Sequence, residues 1–106
     1  MQILFDQGTP VPLRALLPGY EIKTAFELSW STLKNGALLT AAEGRGFAVL
    51  VTTDRNLKCQ QNFSTRHIAI IVLSTTNWPR IRASVAKVGA ALDAIKPGEY
   101  VEVNIP

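Results

Sequence analysis

Residues 49–54 read Val-Leu-Val-Thr-Thr-Asp, an apolar and β-branched run that ends on a carboxylate. The start of the chain shows the same arrangement, because Ile3-Leu4-Phe5 runs directly into Asp6. Continuous apolar runs of this length are typical of buried parallel strands, and open α/β sheets bind ligands beyond the carboxyl ends of their strands. The two stretches therefore predict a parallel sheet with Asp6 and Asp54 at its functional edge.

Strand signals occur at five places along the chain. The predicted strands are Gln2 to Phe5, Tyr20 to Ala25, Phe47 to Thr53, His67 to Leu73 and Tyr100 to Ile105. The fourth contains the continuous apolar run at 68–73, which is typical of a central strand buried on both faces. The last alternates apolar and polar residues, as a half-exposed edge strand does.

Helix signals separate these strands. Thr9-Pro10 predicts the cap and first turn of a short helix, whose apolar side would be formed by Val11, Leu13, Leu16 and Leu17. A second helix is predicted from about residue 35 to Gly44 or Gly46. A third begins at Pro79 and carries one apolar stripe, formed by Ile81, Val85, Val88, Leu92 and Ile95. The alternation predicts an α/β fold, with helices on both faces of a mainly parallel five-stranded sheet.

Length and composition favour a single soluble domain over residues 1–106. Hydrophobic residues make up 47% of the chain and charged residues 18%, and no apolar stretch approaches the roughly 18 residues of a membrane span. The first strand begins almost at Met1, which leaves no room for a signal peptide. Together with the single cysteine, Cys59, these features predict a cytoplasmic protein with no membrane partner. The net charge of +3 permits a polyanionic partner without requiring one.

Asp6 and Asp54 predict a metal site if their strands lie close together. Strands one or two positions apart, at about 4.8 Å per strand, would bring both carboxylates within reach of one cation. Mg²⁺ suits such an oxygen-only site, and it would relieve the repulsion between the two acids. Glu27, just after the second predicted strand, is a third acid at the same edge. Each acid also has a structural alternative, since an aspartate after a strand caps helices and Glu27 suits a first helical turn.

Three segments carry a resemblance to a known family. They are Ile3-Leu4-Phe5-Asp6-Gln7-Gly8 with Pro10, Thr24-Ala25-Phe26-Glu27-Leu28, and Leu50-Val51-Thr52-Thr53-Asp54 after Gly46-Phe47. In this order they resemble the compact PIN-like proteins, a group related to PIN-domain nucleases that includes candidate toxins of toxin–antitoxin pairs. The resemblance covers nearly the whole chain, although each motif is short.

The resemblance implies a PIN-like three-layer αβα sandwich and a metal-dependent endoribonuclease. Asp6, Glu27 and Asp54 match the acidic positions, and they would act as both catalytic residues and ligands of Mg²⁺ or Mn²⁺. The implied partners are RNA and a small antitoxin protein, and homodimer formation is left open. In such a site the metal would polarise the scissile phosphate and lower the pKa of an attacking water.

Five further residues enter this interpretation. Thr52 would orient a carboxylate or a water through its hydroxyl, while Arg55 and Lys58 would hold substrate phosphates. Asn35 stands where many members of the group carry another acid. Its amide offers an oxygen but no negative charge, which favours weaker metal binding. Trp30, near Glu27, is either an anchor for the following helix or a ring that stacks on a base.

Two alternative functions stay open at this point. A PIN-like domain that binds RNA or protein without catalysis is favoured by Asn35. A phosphoacceptor receiver domain also carries aspartates after its first and third strands, and Ser74, Thr75 and Lys96-Pro97 resemble its other functional positions. Against the receiver, the acid after the first strand is single, and Lys96-Pro97 precedes the last strand.

Overall fold

A computed structural model describes residues 1–33, 35–55 and 67–106 of the chain, and of Asn35 it describes the backbone alone. The five strands are β1 (Gln2–Phe5), β2 (Glu21–Thr24), β3 (Val49–Thr52), β4 (Ala69–Leu73) and β5 (Tyr100–Val103). A 3-10 helix (Val11–Leu16) follows β1, and the α-helices are α1 (Asn35–Gly44), α2 (Trp78–Ala83) and α3 (Val85–Ala94). The five predicted strands are thus confirmed, most of them one or two residues shorter at an end than the sequence pattern indicated.

The strands form one sheet in the order β2-β1-β3-β4-β5, and every neighbouring pair is parallel. The α/β prediction is confirmed, and the sheet is parallel throughout. This strand order is one of the two common orders of doubly wound sheets, whose ligands bind where the order reverses. Here the reversal lies between β1 and β3, which pair with Phe5 opposite Val51. The condition set for a shared acidic site, that the first and third strands lie within one or two positions of each other, is therefore met.

Side chains alternate between two apolar layers, one on each face of the sheet. One layer contains Ile3 and Phe5 of β1 and is covered by the 3-10 helix, α2 and α3. The other contains Leu4 of β1 and Leu50 of β3 and is covered by α1. Burial on both faces explains why the strands read as continuous apolar runs. Helices on both faces are compatible with a three-layer sandwich, while the PIN-like fold itself stays a prediction.

The prediction of one continuous third helix is wrong, because two helices occupy its range. Ser84 lies between α2 and α3 with φ −112° and ψ 20°, and its N–H bonds to the carbonyl of Ile81. The apolar stripe nevertheless holds across the break, since Ile81, Val88 and Leu92 are all buried. Periodicity therefore located the buried side of this segment correctly but could not detect the change in backbone direction.

The short helix after β1 also differs from its prediction. It is a 3-10 helix with Pro10, rather than Thr9, at its cap position. Leu13 and Leu17 are buried as predicted, whereas Val11 and Leu16 are 50% and 40% exposed. A 3-10 helix has three residues per turn, so fewer of its positions face the sheet than an α-helical pattern indicates. Throughout the part of the chain that is described, no helix combines the length and apolarity that crossing a membrane requires.

Candidate functional site

Asp6 lies directly beyond the carboxyl end of β1, at the reversal of strand order. Its backbone N–H donates to the carbonyl of Val51 at 3.2 Å, which continues the pairing of β1 with β3 by one residue. The side chain is partly buried. Asp6 is therefore held at the predicted edge by the sheet itself rather than by a loop.

Two buried threonines hold the Asp6 carboxylate. Oδ1 accepts from the Thr9 N–H at 3.1 Å and from the Thr9 hydroxyl at 2.8 Å, and Oδ2 accepts from the Thr52 hydroxyl. Thr9 and Thr52 are 3% and 1% exposed. Burial raises the pKa of Asp6, although the hydrogen bonds from Thr52 and Thr9 oppose the shift. The folded chain thus keeps a carboxylate at a place where burial disfavours its charge, despite hydrogen bonds from Thr9, Thr52 and Gly8.

Thr9 is a site residue that the sequence analysis missed, since it assigned this residue to a helix cap. Its hydroxyl lies 2.9 Å from the carbonyl of Val51 as well as 2.8 Å from Asp6. One hydroxyl proton is therefore shared between a carboxylate and a backbone acceptor. The signal that could have found it is the three-residue spacing from Asp6, which closes a turn with a backbone bond from Thr9 to Asp6 at 3.2 Å.

Thr52 connects the two predicted aspartates. The backbone N–H of Asp54 donates to the Thr52 hydroxyl oxygen at 3.0 Å, and the same hydroxyl donates to Asp6. Asp54 is partly buried at the end of β3. The structure therefore brings the end of β1 and the end of β3 together through one hydroxyl. Contact between Thr52 and a carboxylate is what the resemblance implied, while its part in catalysis stays a prediction.

The loop after β1 approaches the end of β3 closely at Gly8. A Cβ atom at this position would lie 2.4 Å from the Thr53 hydroxyl oxygen and 3.8 Å from an Asp6 carboxylate oxygen. Any side chain here would displace Thr53 or the loop. Gly8 thus leaves room for the Thr53 hydroxyl, and the surroundings of Asp6 are closely packed on this side.

Glu27 has a different environment from the one predicted for a metal ligand. Its carboxylate accepts from the Thr24 N–H at 2.9 Å, and its own N–H donates to the Thr24 hydroxyl at 3.1 Å. This reciprocal pair is a capping box, for which Thr-x-x-Glu is the sequence signature. Arg14 also contacts the same carboxylate oxygen at 2.5 Å. The bond from Thr24, and then the bond from Arg14, lower the pKa of Glu27.

The capping box opens a single helical turn, and a second capping motif closes it. Ser29 has φ 60°, its N–H donates to the Phe26 carbonyl, and the Trp30 N–H donates to the Ala25 carbonyl. This is the bond pattern of a Schellman motif, although serine takes the position that glycine usually occupies. The Trp30 ring packs edge-on against Phe47, with centroids 6.2 Å apart. Trp30 is therefore an anchor for this turn, and the exposed ring of the turn is Phe26, at 76%.

Of the remaining predicted site residues, the structure describes Arg55 and the backbone of Asn35. Arg55 is exposed directly after Asp54. Lys58 and the side chain of Asn35 lie outside the described residues. Within the described ranges, no three His, Cys, Asp or Glu side chains form a group that could hold a metal ion. The acids Asp6, Glu27 and Asp54 thus do not form the three-ligand cluster that the resemblance implied.

A cavity of about 360 Å³ lies away from these acids, beside the starts of β1 and β2. It is lined by Gln2, Glu21, Ile22, Lys23 and Phe47. This cavity therefore does not coincide with the edge that carries Asp6 and Asp54. Comparison of the chain with family models, curated proteins and solved structures gives no match.

Proposed function

We propose that this chain is a metal-dependent ribonuclease, which hydrolyses phosphodiester bonds at the carboxyl edge of its sheet with Asp6 and Asp54 as the essential acids. The supporting observation is the Asp6 carboxylate, which lies at the reversal of strand order and whose pKa burial raises. Among the described residues it forms no salt bridge. A carboxylate held in such surroundings is typical of functional sites, and a bound cation would offset the burial.

The oxygens around Asp6 fit a hard divalent cation in part. A carboxylate offers about four lone-pair positions, and Thr9, Thr52 and the backbone of Gly8 all donate to that of Asp6. A bound Mg²⁺ or Mn²⁺ would replace one of these donors, and Asp54 would supply a second carboxylate. Mg²⁺ is commonly held by one or two carboxylates, with water and substrate phosphates as its other ligands. The proposed site therefore has two protein carboxylates rather than three.

The surrounding residues have defined tasks in this scheme. A bound divalent ion would polarise the phosphate and lower the pKa of the attacking water. Thr9 and Thr52 hold the Asp6 carboxylate in one orientation, and the Asp54 N–H fixes the Thr52 hydroxyl so that its proton faces Asp6. Arg55 is exposed beside Asp54 and would contact a substrate phosphate.

The toxin role belongs to the same proposal. A ribonuclease toxin arrests growth when it is expressed without its antitoxin, and the arrest depends on the acids of its site. Expression of this chain in a bacterial host should therefore slow growth, and Asp6→Asn should abolish the effect. Growth that is slowed equally by both proteins would remove the support for a toxin.

Binding of RNA or protein without catalysis is the second candidate. It is favoured by Glu27, whose carboxylate is engaged by Thr24 and Arg14, and by the neutral Asn35. The receiver alternative has less support. Lys96 precedes β5 and so lies at the amino edge of the sheet. The Ser74 hydroxyl at the carboxyl edge accepts from the Ile105 N–H at 2.8 Å.

The decisive experiment is cleavage of a mixed RNA pool by purified protein with Mg²⁺ or Mn²⁺. We expect Asp6→Asn and Asp54→Asn to lose more than the roughly 10–100-fold that outer-shell changes cost at metal sites. Glu21→Gln is the matched control, since it removes one exposed negative charge at the start of β2, away from the site. Calorimetric titration of Mn²⁺ into the same proteins gives a second readout.

The outcomes separate the candidates. Cleavage lost in both aspartate variants and kept in Glu21→Gln supports the nuclease. Equal cleavage by all four proteins identifies a contaminating enzyme and refutes the proposal. Wild-type protein that binds RNA without cleaving it, and that takes up no Mn²⁺, supports the second candidate. Asp6→Asn removes a charge that burial disfavours and keeps an acceptor for the Thr9 bonds, but its amide NH₂ would face the Thr52 hydroxyl that donates to Oδ2, so thermal unfolding checks that this variant is folded.

A further inference from the structure

We propose that Phe26 is a stacking platform for one base of single-stranded RNA at the carboxyl edge of the sheet. This inference rests on the proposed function, because it identifies where that site holds its substrate. Phe26 is 76% exposed, more than any other large hydrophobic residue among those described. Removing a large apolar side chain from water is favourable, so this exposed ring can contribute to binding when a partner covers it.

The position of Phe26 relates it to the acids. β2 lies beside β1, and the Ala25 N–H donates to the Phe5 carbonyl at 2.9 Å. Ala25 is thus hydrogen-bonded to Phe5, the last residue of β1. Phe26 follows Ala25 directly along the chain, and Asp6 follows Phe5 directly. Asp6 is one residue and Phe26 two residues beyond the carboxyl ends of adjacent parallel strands, where ligands of such sheets bind. A strand of RNA that crosses Asp6 would pass this ring.

The turn holds Phe26 in a fixed place while its ring faces solvent. The capping box between Thr24 and Glu27 closes one end, and the bonds from Ser29 and Trp30 close the other. Ser29 is the only residue other than glycine with positive φ in the described part of the chain. Because the turn is already ordered before RNA binds, binding loses less conformational entropy. Such preorganisation is typical of recognition surfaces.

The surroundings of the ring favour a base over a protein partner. Glu27 and Ser29, on the same turn, are both exposed and polar. A protein hot spot lies within a ring of contacts that exclude water, whereas base stacking requires only an accessible aromatic face and nearby positive charge. Arg55 beyond β3 and the net charge of +3 supply that charge, while Arg14 beside the turn is paired with Glu27. The structure thus assigns stacking to Phe26, whereas the sequence left Trp30 as either an anchor or a stacking ring.

The test is equilibrium binding of a short fluorescein-labelled single-stranded RNA, followed by fluorescence anisotropy with EDTA present so that no cleavage occurs. Phe26→Ala should raise Kd about 5- to 150-fold, the equivalent of the 1–3 kcal/mol that stacking contributes per base. Phe26→Tyr should bind nearly as well as wild type, since it keeps the ring. Leu16→Ala is the matched control, because it removes exposed apolar surface from the 3-10 helix.

An abasic oligonucleotide of the same length distinguishes stacking from other effects. Wild type and Phe26→Ala should bind it equally, because a chain without bases has nothing to stack. If Phe26→Ala binds normal RNA as tightly as wild type does, the platform is refuted and the nuclease proposal is untouched. If Phe26 matters for binding but no RNA is cleaved with metal, the platform stands and the nuclease fails. Absence of RNA binding, with a dimer that Phe26→Ala dissociates in sedimentation, would assign the ring to a protein interface and overturn the inference.

Discussion

Replacement of Thr9 by valine tests whether the threonine network carries the Asp6 charge. Valine has nearly the same shape but no hydroxyl, so the bond of 2.8 Å to the carboxylate disappears. A hydrogen bond to a charged group contributes about 1.5–3 kcal/mol. The methyl group that replaces the hydroxyl recovers less than about 0.8 kcal/mol of apolar transfer energy. The carbonyl of Val51 keeps its bond from Asp6, so it adds no unsatisfied acceptor.

The expected net loss at neutral pH is therefore about 1–2 kcal/mol of unfolding free energy. For a chain of 106 residues this corresponds to a fall of roughly 4–16 °C in Tm, taking 4–8 °C per kcal/mol. Thr9→Ser is the matched control, because it keeps the hydroxyl and removes a methyl. Its loss should be independent of pH between about 4 and 7, since no charged bond is changed.

The pH dependence gives the sharper test. Burial holds the pKa of Asp6 above its ordinary value of 3.8, so the folded protein binds this proton more tightly than the unfolded chain does. Stability associated with Asp6 is therefore lowest when the carboxylate is charged, and it recovers as the pH falls through the folded pKa. Thr9→Val removes a bond that lowers this pKa and so raises it further. The loss caused by Thr9→Val should shrink as the pH falls toward 4.

Urea unfolding followed by tryptophan fluorescence, at pH 7 and near pH 4, measures these differences for wild type and both variants. A loss for Thr9→Val that is the same at both pH values would show that the hydroxyl serves the backbone of Val51 rather than the charge of Asp6. A loss at pH 7 no larger than that of Thr9→Ser would refute the network as a support for the carboxylate.

Two further predictions concern the turn after β2. Ser29→Gly should raise Tm, because Ser29 has φ 60° and a left-handed conformation costs a residue with a side chain about 1–2 kcal/mol. The greater freedom of glycine in the unfolded chain offsets up to about 1 kcal/mol of this gain. A fall in Tm, measured by thermal unfolding, would contradict the Schellman assignment. Glu27→Gln should leave the calorimetric affinity for Mn²⁺ unchanged, since its carboxylate is engaged by Thr24 and Arg14; a loss as large as that of Asp6→Asn would restore Glu27 to the metal site.

The apolar pattern located the strands and the order of elements, because strands that are buried on both faces have uninterrupted apolar runs in the sequence. Leu4 and Leu50 face one layer while Ile3 and Phe5 face the other, so no polar residue interrupts these runs. The adjacency of β1 and β3 was weaker as a prediction, since the pattern allowed one or two positions. The break at Ser84 left no mark, because the stripe continues across it with the same spacing.

The site was harder to predict than the fold, because a carboxylate at a strand end has several uses that the sequence does not separate. Asp6 and Thr52 lie where they were expected. Thr9 was assigned to a helix cap, and only the closed turn from Asp6 shows that its hydroxyl faces the carboxylate. Glu27 fitted both an acidic site and a capping box, and the geometry favours the second.

The contacts of Glu27 also explain why an acid occupies this position without any chemistry. β2 is an edge strand, and exposed strand edges invite pairing with other chains. Arg14 donates to the carbonyl of Ile22 at 3.4 Å, Glu27 accepts from the Thr24 N–H, and the Leu28 N–H donates to the Thr24 carbonyl. The ion pair between Arg14 and Glu27 therefore lies along the open side of β2 and occupies groups that another strand would use. If the Glu27 carboxylate turned away to bind a metal ion, the edge of β2 would be exposed, so Glu27 is a poor metal ligand. The proposed site therefore depends on Asp6 and Asp54.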